Sequence, residues 1–396
     1  MKLVFALVFV LILVFAGYRF SFRRLSIPHL SGLRLTGTEF LFLGLLLGPG
    51  FAGLLDEPTL RGLNPLVGMV LGWVGLLFGF QFEIGKLRRF PREFPLAALL
   101  VSGITLAVVG AAAYLGLGFL VETRPGMQAA AALAMAGAAA ASAQTGLALA
   151  RLPELSPRRH HMVTVLRYIS GVDGLAAVFA LSLAFLFQPD ILHQGLPHPR
   201  PSGMILVSTL SLIFAFTLLL NRRQPTDEML MIVLAMTLLL GGLASVACFS
   251  PLVMNFLAGV WLVNASRHKE RIYQFVERME KPFYLLLLIF LGASWKLATP
   301  WIFAGAAVYF VLRASARVAG AALAQKILSG LSGMPPVLGL GLLEQGGLAM
   351  ALMLEFDRAF PGPAAHAAVS LVLVAAVATD LVHPLFLKAL AHRSAA

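Results

Sequence analysis

The sequence predicts an all-α polytopic membrane protein of about thirteen transmembrane helices, with its N-terminus outside and its C-terminus in the cytoplasm. Three observations carry this expectation. Of 396 residues, 59% are hydrophobic and only 12% charged, whereas a soluble domain carries roughly 25% charged residues. Charged and Pro/Gly-rich breaks divide the chain into about thirteen apolar segments of near-spanning length. Positive charge alternates between rich and poor from one connecting loop to the next, as topology requires.

The apolar segments fall near residues 3–17, 38–55, 65–82, 96–120, 127–150 and 162–187, then 203–220, 229–248, 252–263, 282–295, 300–324, 337–356 and 365–387. The first could be a signal peptide, because Met1-Lys2 precedes a short apolar core. Arg19, Arg23 and Arg24 follow it directly and favour a retained helix with that end in the cytoplasm. One set of alternate loops holds 21 of the 30 Lys and Arg residues. These run from Arg19 through the groups at 86–92, 151–159, 222–223 and 267–281 to Lys326, Lys388 and Arg393. The other set holds 6: Lys2, Arg61, Arg124, Arg200, Lys296 and Arg358. Arg167, Arg313 and Arg317 lie inside segments.

Composition also excludes classes. The net charge of +12 sits in short clusters between apolar runs, a pattern of topology rather than of nucleic-acid binding. A single cysteine, Cys248, precludes an internal disulfide and a cysteine metal cage. The chain contains no HExxH, phosphate-binding P-loop or GxSxG motif. An intramembrane aspartyl protease needs two facing aspartates, and only Asp173 reaches midplane depth. The expectation is a transporter without cofactor, not an enzyme, in contact with membrane lipid.

Asp173 is the residue that asks for an explanation. It lies about 10 residues into its segment, roughly 15 Å along a helix and half the depth of a bilayer core. A carboxylate there costs several kcal/mol on most scales and marks an ion or proton path. Gly171 and Gly174 leave room beside it. A plainer reading has Asp173 only bonding Arg167 or nearby backbone in tight helix packing. The two residues are six apart, about 240° around one helix, so they do not share a face.

The chain also resembles itself. The fifth segment is interrupted by Ser142-Ala143-Gln144-Thr145-Gly146 and the twelfth by Glu344-Gln345-Gly346-Gly347. Phe78–Glu83 and Phe290–Lys296 end the third and tenth. An offset of seven helices is odd, so the second copy would be inverted, as in secondary transporters whose broken helices meet at the midplane.

At these residues the sequence resembles the monovalent cation/proton antiporters. Leu43-Gly44-Leu45-Leu46-Leu47-Gly48-Pro49 is similar to the family's GxxLGP helix, and Ala141–Thr145 to its Thr-Ser-Pro-x-Thr crossover. Val172-Asp173 stands where the family has Asn-Asp or Asp-Asp, and Phe290–Ser294 resembles its FFxxxGxxl segment. Arg317-Val318-Ala319-Gly320 resembles Lys-x-x-Gly, Gly339–Ala349 resembles GlgllpqgGva, and Leu381-Val382-His383-Pro384-Leu385 resembles ligPll. The order is right over nearly the whole chain.

The resemblance implies an inverted-repeat fold with two crossed discontinuous helices, the fifth and twelfth. It implies an ion-translocating core from residues 96–187 and 300–390, a dimerisation scaffold from 1–85 and 203–297, and a homodimer in a bacterial inner membrane. Asp173 would bind either a proton or a monovalent cation, sodium before potassium or lithium, with Ser142, Gln144 and Thr145 supplying oxygens. Arg317, Glu344 and Gln345 would provide supporting charge and polarity at the crossing. Ser142 and Thr145 could equally be packing residues.

Three departures from the family stand out. Val172 removes the companion of Asp173, unless the alignment shifts by one and Gly174 takes the place of the ion-binding acid. Arg317 replaces a titratable lysine with a guanidinium that stays charged. Glu344 replaces proline. One titrating carboxylate implies electroneutral one-for-one exchange, with Arg317 as a brace pairing with Glu344 or with helix-terminal carbonyls. Glu83 and Asp380 read as interfacial, and a pH-sensing role for His160 and His161 is open. His366 and His383 read as residues of helix ends or loops. No soluble regulatory domain is expected. The competing readings are a sodium-coupled transporter of another solute and a degenerate transporter acting as a sensor or scaffold.

Overall fold

A computed structural model describes residues 1–21, 37–143, 157–187, 203–222, 225–296, 300–331, 334–335 and 337–393, and every regular element among them is helical. The first are α1 (Lys2–Ser21), α2 (Thr38–Leu47), α3 (Glu57–Gly62), α4 (Asn64–Gly79) and α5 (Ile84–Leu87). Next come α6 (Glu93–Leu120), α7 (Pro125–Ala140), α8 (Pro157–Val172) and α9 (Gly174–Phe185). Then follow α10 (Gly203–Leu220), α11 (Thr226–Val246), α12 (Pro251–Ala265), α13 (Lys269–Arg278) and α14 (Glu280–Ser294). The last are α15 (Trp301–Ile327), α16 (Gly347–Ala359) and α17 (Pro363–Arg393).

Among the described residues, 6 spans are long and apolar enough to cross a membrane. They are Lys2–Arg19, Glu93–Leu120, His161–Phe185, Glu228–Val246, Trp301–Ile327 and Pro363–His383. Other apolar helices are shorter, among them Thr38–Leu47 and Pro251–Ala265. The reasons for the shortening are local. The second apolar segment stops being helical at Leu47, before Gly48-Pro49-Gly50, because proline disfavours helical backbone in the residue before it. The charged stretch at 267–281, read from the sequence as a loop, instead contains the amphipathic helix α13, which buries Ile272 and Val276.

The chain forms two compact units, Met1–Gly85 with Asp190–Trp295, and Lys86–Pro189 with Lys296–Ala396. In the first unit two helix pairs approach through glycine. A Cβ on Gly292 of α14 would lie 2.0 Å from the Leu41 carbonyl oxygen of α2, and one on Gly75 of α4 would lie 2.1 Å from that of Leu252 in α12. Between apolar helices in lipid, such close backbone contact supplies the dispersion that the hydrophobic effect does not. Trp73 stacks on Phe283 with ring centroids 4.5 Å apart, and its Nε1 donates to the Val276 carbonyl at 3.3 Å. Glu83 pairs with Lys269 at 2.7 Å, and Lys2 at the start of α1 pairs with Asp56 at 2.5 Å.

In the second unit α6 packs against α7 and α15, and α7 against α9, α16 and α17. The sequence of α7 explains its central place. Residues 130–140 are alanine and glycine apart from Leu133 and Met135, so neighbouring helices come close on several sides. A buried cluster including Phe94, Val101, Leu166, Ile169, Leu338 and Leu342 ties α6, α8 and the 3-10 turn Leu338–Leu342 together.

Candidate ion-binding site

Two helices of the second unit stop in the middle of apolar sequence. After Ala140 the backbone of α7 turns extended at Ala141 and is non-helical through Ala143. The other break follows the 3-10 turn Leu338–Leu342. Residues 343–346 are unwound, and α16 begins after the extended Gly346. The two unwound stretches meet, with the Ala143 N–H donating to the Glu344 carbonyl at 2.8 Å. Gly346 allows the approach, since a Cβ there would lie 3.1 Å from the Ala143 Cα.

A helix end leaves its last four carbonyls without partners from a continuing helix. At the end of α7 one backbone N–H and several side chains take them up. The Gly137 carbonyl accepts from the Ala141 N–H at 3.0 Å, and that of Ala138 from Gln345 Nε2 at 3.0 Å. The Ala139 carbonyl accepts from Arg313 Nε at 3.0 Å and from Arg317 Nη2 at 2.9 Å. The Ala140 carbonyl accepts from Arg317 Nη2, and that of Ala141 from Arg313 Nη2 at 3.5 Å. Arg313 also donates to the carbonyls of Leu342 and Leu343, so one guanidinium joins both breaks. Cations at a helix C-terminus also complement its dipole. The two guanidiniums come from one face of α15, where Tyr309, Arg313 and Arg317 are spaced by four.

Asp173 sits at the interruption between α8 and α9 and is 1% exposed. Its Oδ2 accepts from Arg317 Nη1 at 3.0 Å and from the Ser142 hydroxyl, and Oδ1 accepts from the Ser142 N–H at 3.4 Å. Neither ion-pair partner has any exposed side-chain area. A pair this closed depends on further hydrogen bonds to its remaining donors and acceptors: the two alanine carbonyls take up Arg317 Nη2, while Arg317 Nε is buried with no hydrogen-bond partner among the described residues. Oδ1 has one long bond and lone-pair capacity to spare.

The structure therefore brings Asp173, Ser142 and Arg317 together. Gln144 and Thr145 lie outside the described residues. Glu344 and Gln345 lie in the unwound stretch that meets Ala143, but Arg317 does not pair with Glu344. Arg317 binds Asp173 and the carbonyls of α7, and the Glu344 carboxylate faces His383 at 3.3 Å instead. Nor does Asp173 bond Arg167, which is exposed on α8. Sequence reasoning missed Tyr309, Arg313 and His383 as parts of this assembly. The four-residue spacing of polar groups in an apolar helix was the available signal for the first two. Among the described residues no group of three or more His, Cys, Asp and Glu is placed to hold a metal ion.

A family model described as "Sodium/hydrogen exchanger, transmembrane" matches residues 10–393. The chain belongs to that family. It is an integral, multi-pass membrane protein of the cation/proton antiport class, which is a class of transporters rather than enzymes. A solved structure of the sodium proton antiporter MjNhaP1 from Methanocaldococcus jannaschii at pH 8 has the same fold. It superposes with a TM-score of 0.69 at 17% identity, covering 100% of this chain and 99% of that one. No curated protein sequence matches the chain.

Proposed function

We propose that the protein exchanges a monovalent cation, sodium first, for protons one for one, with Asp173 as the group that carries either. The observation that supports this most is the buried Asp173 carboxylate beside two unwound helix segments, with Oδ1 still able to take a proton or a small cation. Ser142 supplies a hydroxyl next to it, and the neighbouring unwound backbone is a source of further oxygens. In this reading the second unit is the ion-carrying core, and the first is the scaffold through which two copies dimerise. The thirteen apolar segments span an inner membrane with the N-terminus out.

Arg317 bears on the coupling. An empty Asp173 by itself would be a bare charge, costly to move through the bilayer core. With Arg317 alongside, the empty site is neutral, so charge alone does not hold it back. What holds it is the brace, in which Arg317 joins Asp173 to the end of α7 while anchored in α15. A cation or proton at Asp173 competes with Arg317 for the carboxylate and loosens that brace.

The test is proton flux in everted vesicles given sodium, potassium and lithium in turn. Wild type is expected to move protons on cation addition, and Asp173→Asn to move none while remaining folded and inserted. Flux in Asp173→Asn equal to wild type overturns the assignment of Asp173. A steady current driven by a cation gradient alone overturns the one-for-one stoichiometry.

A further inference from the structure

Two buried atoms at the end of α7 lack hydrogen-bond partners among the described residues, and they are opposite in kind. Arg317 Nε carries a hydrogen without an acceptor, and Gln345 Oε1 is an acceptor without a donor. Arg317 is 0% exposed and Gln345 5%. Protein interiors rarely leave either kind of group unpaired, because each then bears its full desolvation cost.

The amide orientation of Gln345 follows from its contacts. One end lies 3.0 Å from the Ala138 carbonyl oxygen, which only accepts, so that end is Nε2. The same nitrogen lies 3.3 Å from the Tyr309 hydroxyl, which donates onward to the Met135 carbonyl at 3.2 Å and so accepts from Gln345. Turning the amide over would set Oε1 against the Ala138 oxygen. Arg317 holds the next two carbonyls of α7, those of Ala139 and Ala140, through Nη2. The unmatched donor and the unmatched acceptor thus belong to side chains anchored on consecutive carbonyls. Arg313 is no rival for Oε1, since its three nitrogens are all engaged by the carbonyls of Ala139, Ala141, Leu342 and Leu343.

We propose that Gln345 Oε1 is the acceptor to which Arg317 turns when a cation or proton takes Asp173, which makes Gln345 a positioning residue of the exchange cycle. The inference rests on the antiport reading. Loading Asp173 takes away the acceptor of Arg317 Nη1, so that nitrogen joins Nε in lacking one. Nη2 keeps the carbonyls of α7 and serves as the pivot. A turn about it brings the released donors to Oε1, where a charged donor meets a neutral acceptor away from water. The positive charge stays at the C-terminal end of α7 in both states, where the helix dipole favours it. Releasing Arg317 from Asp173 then costs less, and a singly charged ion can displace it.

Two measurements test this on the full chain, with whichever of sodium, potassium and lithium drives the largest proton flux. In proteoliposomes, Gln345→Met should raise KM for that cation about tenfold, the worth of one hydrogen bond from a charged donor. The acceptor serves the loaded state throughout its crossing, so kcat should stay within about twofold of wild type. A merely structural tie to Ala138 would lower kcat as well. In detergent, the 15N signal of Arg317 Nε, assigned by its loss in Arg317→Lys, should move when the cation replaces choline. It should stay in place in Gln345→Met. A signal that ignores the cation in wild type, or moves equally in Gln345→Met, overturns this inference and, with flux present, leaves the antiport reading intact. So does a KM in Gln345→Met equal to that of wild type. If Gln345→Met does not fold, the wild-type signal decides. If wild type moves no protons with any of the three cations, the antiport reading fails and this inference falls with it.

Discussion

Replacing Arg317 with methionine removes the cation from a carboxylate that is closed to solvent. The pair is 3.0 Å long and neither side chain is exposed, so breaking it from one side leaves a buried charge, at a cost of about 3–5 kcal/mol. The Ala139 carbonyl keeps Arg313 as a donor, whereas that of Ala140 loses its guanidinium donor, adding about 1–3 kcal/mol. A neutral carboxylic acid needs no cation, so the loss is largest at high pH and shrinks as the pH falls. Adding Asp173→Asn to Arg317→Met should therefore restore much of the lost stability, giving a coupling of about 2–3 kcal/mol between the two sites. The assay is unfolding in mixed micelles of dodecyl sulfate and a mild detergent, followed by circular dichroism for wild type, both single variants and the double variant. Effects that add to within about 0.5 kcal/mol would show that the two side chains do not depend on each other, refuting the ion pair as the core of the site.

Gly292→Ala should destabilise the first unit by about 1–3 kcal/mol, because its Cβ would meet the Leu41 carbonyl at 2.0 Å, and a thermal midpoint equal to wild type refutes that packing. Cys248, the only cysteine, reports orientation: a membrane-impermeant maleimide should label it from outside intact cells, and labelling only after lysis counts against the outward N-terminus. The Asp56 carboxyl is held down to about 2 by the Lys2 ammonium and by Thr59. Its lowered value means that the tie between α1 and α3 is fully formed above the ordinary aspartate value of about 3.9 and is lost only as the pH falls through about 2. A 13C titration of Asp56 with its midpoint near 4 would contradict this.

Asp173 was legible because one carboxylate in a long apolar run has few explanations, and Ser142 because small polar residues interrupt a second run. The identity of Asp173's partner was not. Arg317 lies 144 residues away in the chain, and nothing in local periodicity distinguishes it from Arg167, six residues away and exposed, or from Glu344 as Arg317's own partner. Long-range pairing of this kind is decided by how α7, α9 and α15 pack, which alanine-rich sequences specify only weakly. The helical segments themselves were readable to within a few residues where charge bounds them. They were less readable where a helix stops inside apolar sequence, as at Leu47 and Ala140, because hydropathy is blind to unwinding that buried side chains satisfy.

The Asp173–Arg317 pair has a consequence for how the protein feels membrane voltage. If both residues travel with the ion in the proposed cycle, the empty pair carries no charge through the field, and the same pair holding a cation or a proton carries one positive charge. One elementary charge moved through 100 mV is worth about 2.3 kcal/mol. A full one-for-one turnover cancels this work, so the final gradients are blind to the potential. Each loaded half of the cycle does not cancel it. A sudden addition of cation should then give a brief capacitive current with no steady component, and Arg317→Met, whose loaded carboxylate is neutral, should lose that transient.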